Sequence, residues 1–516
     1  MRNINIQELS RPTQNHESST QRRKESPVLD LLFVVLDDFH RQNISYCYWK
    51  SRSRVHSVLM GEGDLDLIIA RQDQHRAQGI LINQGLKLFP SIAHRDHPAI
   101  SSYLGYDEPS GRIIHLHLHF RLVIGEPLLK TYRLPWEETI LASAIPHPSL
   151  PIQMLDPASE AVLLVVRACL EQSQMDPIAL RDRRSLKQKF ALARAELAAL
   201  VDRTLLRSRA AELLNEDLAG IIAEALYGGK AFERITRLRR PIQKHLAVYR
   251  SYNSVEARLR SAGRAIIWAA GGLNKYFLYV PRPWSRCAPG GGCVVAVLGV
   301  DGSGKSTIVA AIRAWLGAEV DVIPIYFGTG DGRPSLLLLP LKLLAPVVTP
   351  FLKAKPKGAS HGKITNSAPG PLYRVLLTIW ATVLAVEKRS KLLAARRGAS
   401  RGLIVLTDRY PQDEIPHFND SPLLSRLTGV PHWLRWFEAG AYALARRLPP
   451  DLVIKLKVTP ETATRREPDM DQAVIRKRIV EVEQLTFSGA RVASVDAEQP
   501  LAEVIRAVKR EIWRLL

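Results

Sequence analysis

The segment that most constrains the fold of this chain is GVDGSGKS at residues 299–306, which satisfies the pattern GxxxxGK[ST]. An apolar run, VVAVL, precedes it, and a stretch with Ile308, Ile312 and Trp315 at helical spacing follows it. A strand, a glycine-rich turn and a helix in this order let backbone N–H groups close around phosphate oxygens. We therefore predict a phosphate-binding loop. The alternative is a glycine-rich turn that happens to hold a lysine.

Each residue type in this loop has a chemical reason to be there. Glycine lets the backbone approach phosphate closely, the charge of Lys305 reaches the terminal phosphates of a nucleoside triphosphate, and Ser306 offers its hydroxyl to Mg²⁺. We therefore expect ATP and Mg²⁺ as cofactors. The predicted ATP-binding residues are Gly299, Gly302, Ser303, Gly304, Lys305, Ser306 and Thr307.

The distribution of polar, apolar, proline and glycine residues divides the 516 residues into blocks. The first 27 residues are polar and predict a disordered tail, whereas residues 28–150 mix helix-like and strand-like segments, as an α+β domain does. Residues 151–264 have helical spacing and few breakers, and 265–292 contain PRPWSRCAPGGGC, which predicts a linker. Residues 293–516 alternate strand-like and helix-like segments. That alternation predicts an α/β domain with a parallel sheet and helices on both faces.

A later strand-like run, LIVLTDRY, carries Asp408 and Arg409 near its end. Open parallel sheets bind ligands at the carboxyl ends of their strands. The run therefore predicts that these two side chains lie near the phosphate-binding loop. A simple ion pair at a strand end is the alternative.

Several segments together resemble thymidylate kinase in content and order: VVAVLGVDGSGKSTI, LIVLTDRY, PDLVIKLKVTPETATRR and VASVDAEQPLAEVIRAV. The resemblance covers residues 293–516 and implies a P-loop kinase domain. It implies that Asp301 faces the sugar hydroxyl of an acceptor nucleotide and that Arg409 and Arg389 bind the acceptor phosphate. It also implies that Asp408 orders Mg²⁺ or the acceptor. The catalytic residues it implies are Lys305, Asp408, Arg409 and, at the start of the lid, Arg466.

One region departs from thymidylate kinase. After the strand-like run VDVIPIYF, the chain lacks the usual acceptor-site segment. It instead has a leucine-rich segment at residues 336–352 that several prolines interrupt. Selection of a thymine base is therefore not implied. The region predicts a helical hairpin that caps the domain, or an apolar patch for a lipid-linked or membrane-surface substrate.

The most informative segment of the first block is GDLDLIIA, which contains Asp64 and Asp66. Residues two apart on a strand face the same way, so the two carboxylates are predicted to lie side by side, where they suit a divalent cation. A DxD after a glycine-containing turn is similar to the nucleotidyltransferase superfamily, in which such a pair holds the metal ions of nucleotidyl transfer.

That superfamily adds a third carboxylate from a neighbouring strand, but the neighbour expected here is RIIHLHLHF, with His115, His117 and His119 on one face. These histidines could ligate a metal together with Asp64 and Asp66. The alternatives are a half-buried polar strand face and a domain that binds without catalysing.

Charge and cysteine content limit the partners. The net charge of +22, from 72 Lys and Arg against 50 Asp and Glu, favours anionic partners such as nucleotides or an anionic membrane surface. No nucleic-acid-binding motif accompanies it. The four cysteines form no CxxC pair, which argues against a disulfide framework or a zinc ribbon. We therefore expect the protein in the reducing cytoplasm. The sequence contains no uninterrupted run of about 20 apolar residues, the length that a helix needs to span a bilayer. A homodimer is compatible with the sequence.

The function predicted from these features is ATP-dependent phosphoryl transfer to a phosphorylated small acceptor, most plausibly a nucleoside monophosphate. Two alternatives stay open. One is a nucleotide-binding regulator, in which the first domain senses a partner, and the other is a kinase of a sugar or lipid-linked precursor.

Overall fold

The computed structural model describes residues 28–97, 99–126, 128–171, 183–228, 231–328, 371–416, 421–426 and 429–516. The predicted tail at 1–27 and the leucine-rich segment at 336–352 lie outside the described residues. None of the helices within the described ranges combines the length and apolarity needed to cross a bilayer.

The first part of the chain is a mixed α/β unit. Its elements are α1 Asp30–Arg41, β1 Tyr46–Tyr48, α2 Val55–Leu59, β2 Asp64–Ile69, α3 Gln74–Asn83, β3 Lys87–Leu88, β4 Ile100–Asp107, β5 Arg112–His119, β6 Leu122–Ile124, β7 Tyr132–Leu134, α4 Glu137–Ala142, β8 Ile145–Pro146 and β9 Gln153–Met154. Seven strands form one sheet in the order β3-β4-β5-β2-β1-β9-β8, and β6 pairs with β7. The predicted strands in GDLDLIIA and RIIHLHLHF are confirmed as β2 and β5.

The pairing of β2 with β5 determines which side chains can meet. The two strands are parallel, and Asp64 lies opposite His115 while Asp66 lies opposite His117. Leu65 and Leu67 point to the other face of the sheet, where they are fully buried. The alternation of polar and apolar residues therefore places the carboxylates and the imidazoles on one face and the core on the other.

A block of helices follows the first sheet. Its helices are α5 Pro157–Leu170, α6 Arg183–Leu200, α7 Arg203–Leu213, α8 Glu216–Tyr227, α9 Ala231–His245 and α10 Ser254–Leu273. The carboxylate of Asp156 caps α5 by accepting hydrogen bonds from the N–H groups of Ala158 and Ser159, both at 3.0 Å. Helix α10 ends at Leu273, so helical structure extends beyond the boundary at residue 264 that the sequence suggests.

The stretch rich in proline and glycine is irregular, as its composition predicts, but it is packed against both parts of the protein. The N–H of Cys287 donates to the carbonyl of Pro90 in the first part, at 2.9 Å. The N–H of Ala288 donates to the carbonyl of Gly402 in the last part, at 2.8 Å. These contacts fix the stretch in place, because two adjacent N–H groups bond to carbonyl groups of different parts of the protein.

The last part is built on a five-stranded sheet. Its elements are β10 Cys293–Leu298, α11 Lys305–Gly317, β11 Val322–Tyr326, α12 Pro371–Ala399, β12 Ile404–Asp408, α13 His432–Arg447, β13 Leu452–Lys457, α14 Pro460–Arg466, α15 Gln472–Gln484, β14 Arg491–Asp496 and α16 Leu501–Leu515. The strand order is β11-β12-β10-β13-β14, and every pair is parallel. The predicted parallel sheet is confirmed.

Strand β10 is buried at each of its six positions, as expected for a central strand that is covered on both faces. The chain places the next two strands on one side of β10 and the last two on the other. The order therefore reverses at the end of β10. Such a switch point opens a crevice at the carboxyl ends of the strands, where ligands bind in open α/β sheets.

The first and last parts share one hydrophobic core. The ring of Tyr106 on β4 lies 5.4 Å from that of Trp315 on α11, and 6.2 Å from that of Trp513 on α16. Phe89 is fully buried in the same cluster. The ammonium group of Lys509 donates to the carbonyl of Gly111 at 2.7 Å.

Candidate functional site

The loop between β10 and α11 has the backbone geometry that its glycines predict. Gly302 and Gly304 have φ angles of +81° and +86°, which side chains disfavour. A Cβ atom on Gly299 would come within 2.4 Å of the Ser303 hydroxyl. The loop therefore requires glycine at these positions, and it brings the first N–H groups of α11 to the open end of the sheet.

Lys305, at the first position of α11, is held inside the loop. Its side chain is buried, and its ammonium group donates to the carbonyl of Val300 at 2.7 Å. Burial lowers the pKa of Lys305, and Asp301 opposes that shift. Ser306 and Thr307, by contrast, are exposed on the first turn.

Asp301 is the centre of the charge network above the loop. Its Oδ1 accepts from Arg409 at 3.0 Å and its Oδ2 accepts from Arg478 at 2.9 Å. Lys305 lies 3.7 Å from the same carboxylate. Three cationic side chains thus meet one carboxylate at a helix N-terminus.

Arg409 follows β12 and has an unusual backbone. Its φ is +67°, and its N–H donates to the carbonyl of Val297 on β10 at 3.2 Å. A left-handed conformation costs a residue with a Cβ atom roughly 1–2 kcal/mol. The left-handed backbone therefore lowers the stability of the turn while it directs this guanidinium towards Asp301. Strained backbone of this kind is common at functional sites.

Arg478 belongs to the network although the sequence did not identify it. It lies on α15 and is buried, as are Ile475 and Val482 on the same helix. Positions three and four apart share one helix face. An arginine between two apolar residues at that spacing was therefore the signal that could have found it.

The other residues expected around the loop are placed as follows. Arg466, at the end of α14, donates to the carbonyl of Gly302 at 3.1 Å. Asp408 ends β12 in register with Val297, and its charge acts on Lys305. The structure thus gathers Asp301, Lys305, Asp408, Arg409 and Arg466 at one edge of the sheet.

Arg389 does not join them. Glu387 and Lys391 on α12 pair at 2.6 Å, and the ammonium group of Lys391 donates to the carbonyl of Tyr326 at the end of β11. Successive helical residues are rotated by about 100°, so a residue two positions from both lies on the opposite side. Arg389 is exposed there, which does not fit the acceptor contact expected of it.

A second polar cluster lies on the first sheet. Nδ1 of His115 lies 2.7 Å from Oδ1 of Asp64 and 3.1 Å from Oε2 of Glu319, which follows α11. The neighbouring Asp66 accepts through Oδ1 from His119 at 2.8 Å and faces Nδ1 of His117 at 3.3 Å. Glu319, from the last part of the chain, thus faces the same imidazole nitrogen as Asp64.

Burial and charge set the protonation of this cluster. Burial alone would raise the pKa of Asp66, but Lys50 and the bonds to His117 and His119 hold that pKa well below its usual range. Burial lowers the pKa of His117 and lowers that of His119 to about 4. Asp66 is therefore ionised and the two imidazoles are neutral near pH 7.

The chain resembles two ATP-binding proteins of Escherichia coli. The ATP-binding protein YghS of Escherichia coli (strain K12) is 32% identical over 228 residues, which are 43% of this chain and 93% of YghS. The ATP-binding protein YghR of the same strain is 27% identical over 227 residues, which are 42% of this chain and 86% of YghR. No known protein-family profile matches the chain.

Among solved structures, the chain is similar to deoxyadenosine kinase from M. mycoides with bound dATP. The two are 17% identical, the match covers 42% of this chain and 98% of that one, and the TM-score is 0.25.

Proposed function

Because the chain belongs to the same family as the Escherichia coli ATP-binding protein YghS, we propose that it binds ATP at residues 299–306. We propose further that it transfers the γ-phosphoryl group to a phosphorylated small acceptor, as a kinase similar to thymidylate kinase. The relatives and the loop support the binding of ATP. The charges around the loop support phosphoryl transfer.

The observation that carries the proposal is the cluster of cationic side chains at the open end of the loop. Lys305, Arg409 and Arg478 meet at the carboxylate of Asp301, beside the first N–H groups of α11. Cationic side chains and a helix N-terminus at one place favour an anion. A phosphate group is the anion that such a site typically binds.

The chemistry needed for transfer is mainly positioning and charge stabilisation. The N–H groups of the loop and the ammonium group of Lys305 would stabilise negative charge on the transferred group. Mg²⁺ fits the oxygen ligands that Ser306 and Asp408 offer, and it would neutralise phosphate charge when bound.

For the acceptor, we propose a nucleoside monophosphate. Asp301 and Arg409 lie next to each other, so one acceptor could give a sugar hydroxyl to the carboxylate and a phosphate to the guanidinium. These are the roles that the resemblance to thymidylate kinase implies for the two residues. A bidentate contact between arginine and phosphate also fixes the orientation of the acceptor.

The test is a screen of the purified full chain with ATP and Mg²⁺ against nucleoside monophosphates and sugar phosphates. We expect ADP release that requires one class of acceptor, with nucleoside monophosphates giving the highest kcat/KM. If ADP is released only in the presence of a sugar phosphate, the acceptor is a sugar phosphate and not a nucleoside monophosphate. Tight ATP binding with no acceptor-dependent release in either panel would contradict phosphoryl transfer and favour a nucleotide-binding regulator.

A further inference from the structure

The face of the first sheet that carries Asp66 has the layout of a metal site. Strands β2 and β5 are parallel neighbours, and their register puts Asp66 opposite His117 and one step from His119. Residues two apart on a strand share a face. The fold therefore brings one carboxylate and two imidazoles together without any loop, on backbone that the sheet holds rigid.

The distances between the ligand atoms suit a metal ion. Oδ1 of Asp66 is 2.8 Å from Nε2 of His119 and 3.3 Å from Nδ1 of His117, and each residue of the trio offers a ligand atom within 4.8 Å of the others. In a tetrahedral site with bonds of about 2.0–2.2 Å, neighbouring ligand atoms lie about 3.4 Å apart. Small side-chain rotations would therefore admit an ion between the three atoms.

We infer that Asp66, His117 and His119 bind one divalent transition-metal ion and that Zn²⁺ fits these ligands best. Two imidazole nitrogens with one carboxylate oxygen are typical of transition metals, whereas Mg²⁺ prefers oxygen ligands in an octahedral arrangement. Three protein ligands leave a fourth position for water or another small ligand. This site differs from the paired-carboxylate site that the sequence predicts, because Asp64 is not a ligand.

The surroundings of Asp66 leave the oxygen that faces the imidazoles open to an ion. Lys50 lies 3.9 Å from Oδ2 of Asp66, on the oxygen that does not face the imidazoles. Its ammonium group rests over the ring of Trp49, 4.0 Å from the centroid. Oδ1 therefore stays available to the ion.

The neighbouring trio of Asp64, His115 and His117 is the weaker candidate, although its ligand atoms are equally close. Nδ1 of His115 also faces Glu319, which lies outside the trio and competes for that nitrogen. The side chain of Asp64 is 48% exposed, whereas that of Asp66 is 14% exposed. A buried carboxylate gains more from a bound cation, because water screens it less.

The test is Zn²⁺ titration of the untagged full chain after chelator treatment, in competition with a chromogenic chelator. We expect one tight Zn²⁺ per chain that a large excess of Mg²⁺ does not displace. Removal of an inner ligand by His119→Gln or His117→Asn should weaken binding by more than about 100-fold, since even outer-shell changes cost 10–100-fold. His75→Gln, at an exposed site on α3, should bind like the parent.

Circular dichroism checks that each variant is folded, and the parent protein provides a test that needs no substitution. The inference is overturned if the parent binds no Zn²⁺ at one per chain, if Mg²⁺ displaces it at equal concentration, or if both histidine variants keep the parent affinity. Loss of Zn²⁺ in Asp64→Asn with retention in His119→Gln would also overturn it, because the other trio would then hold the ion. Lys305→Met should leave Zn²⁺ binding unchanged, so this result is independent of phosphoryl transfer.

Discussion

Nδ1 of His115 lies 3.1 Å from Oε2 of Glu319, and this pair joins the first sheet to the far end of the helix that begins at Lys305. Burial alone would lower the pKa of His115, but its bonds to Asp64 and Glu319 outweigh burial and raise that pKa. The imidazole between two carboxylates thus favours its charged form. A charged contact therefore links the two parts of the protein.

The first prediction concerns that contact. Glu319→Gln keeps the shape of the side chain but removes the charge that faces His115 at 3.1 Å and Arg286 at 3.5 Å. Contacts with charged groups contribute about 1.5–3 kcal/mol. We expect a loss of unfolding free energy of about that size, measured by urea denaturation followed by tryptophan fluorescence. Glu461→Gln, whose side chain is 68% exposed, serves as the control and should change little. Equal stability of both variants would show that the pair does not stabilise the protein.

The second prediction concerns Lys305. Because its stem is buried, Lys305→Met preserves packing while it removes the charge. We expect acceptor-dependent ADP release to fall by about 100-fold or more, as when a transition-state donor is removed, with an unchanged circular dichroism spectrum. Lys477→Met, at a side chain that is 74% exposed, should retain activity. Unchanged turnover in folded Lys305→Met would rule out the proposed site.

The third prediction uses two substitutions of Arg409. Both Arg409→Ala and Arg409→Gly should weaken acceptor use by about 1.5–3 kcal/mol in kcat/KM while ATP binding survives. Because φ is +67°, the alanine variant should be less stable than the glycine variant by about 1 kcal/mol. Steady-state kinetics, ATP titration and thermal melting measure these effects. If the variants lose affinity for ATP but keep affinity for the acceptor, Arg409 binds ATP and the proposed role is wrong.

The fourth prediction concerns Lys509, where burial lowers the pKa to about 8 from 10.5. Between these two pH values the unfolded chain binds more protons than the folded one, so folding becomes more favourable as pH rises. The melting temperature of the parent minus that of Lys509→Met should therefore increase between pH 7.5 and pH 9.5. The control is Lys477→Met, for which the same difference should stay constant. A constant difference for Lys509→Met as well would contradict the shifted pKa.

Local patterns in the sequence were sufficient to predict many elements. The run before the loop, the helix after it and the strand that ends at Asp408 each show the period of their structure over a few residues. The alternation in GDLDLIIA likewise predicts which side chains of β2 face the core. These features depend on neighbours in the chain, which is why they can be predicted without a fold.

The remaining site residues depend on contacts across long stretches of chain. Arg478 is 177 positions from Asp301, and nothing near either residue indicates that they meet. Glu319 likewise reaches His115 only because the two sheets pack together. Arg389 shows the opposite problem: the resemblance to thymidylate kinase points to it, but the rotation of α12 turns it to solvent.

The aromatic contacts between the two sheets have a consequence for how the protein unfolds. Tyr106 and Phe89 belong to the same buried cluster as Trp315 and Trp513, so each half covers apolar rings of the other. Separating the halves would expose these rings to water, at about 25 cal/mol for each Å² of apolar surface. Opening of this cluster would therefore destabilise both halves, and we expect the two sheets to unfold together.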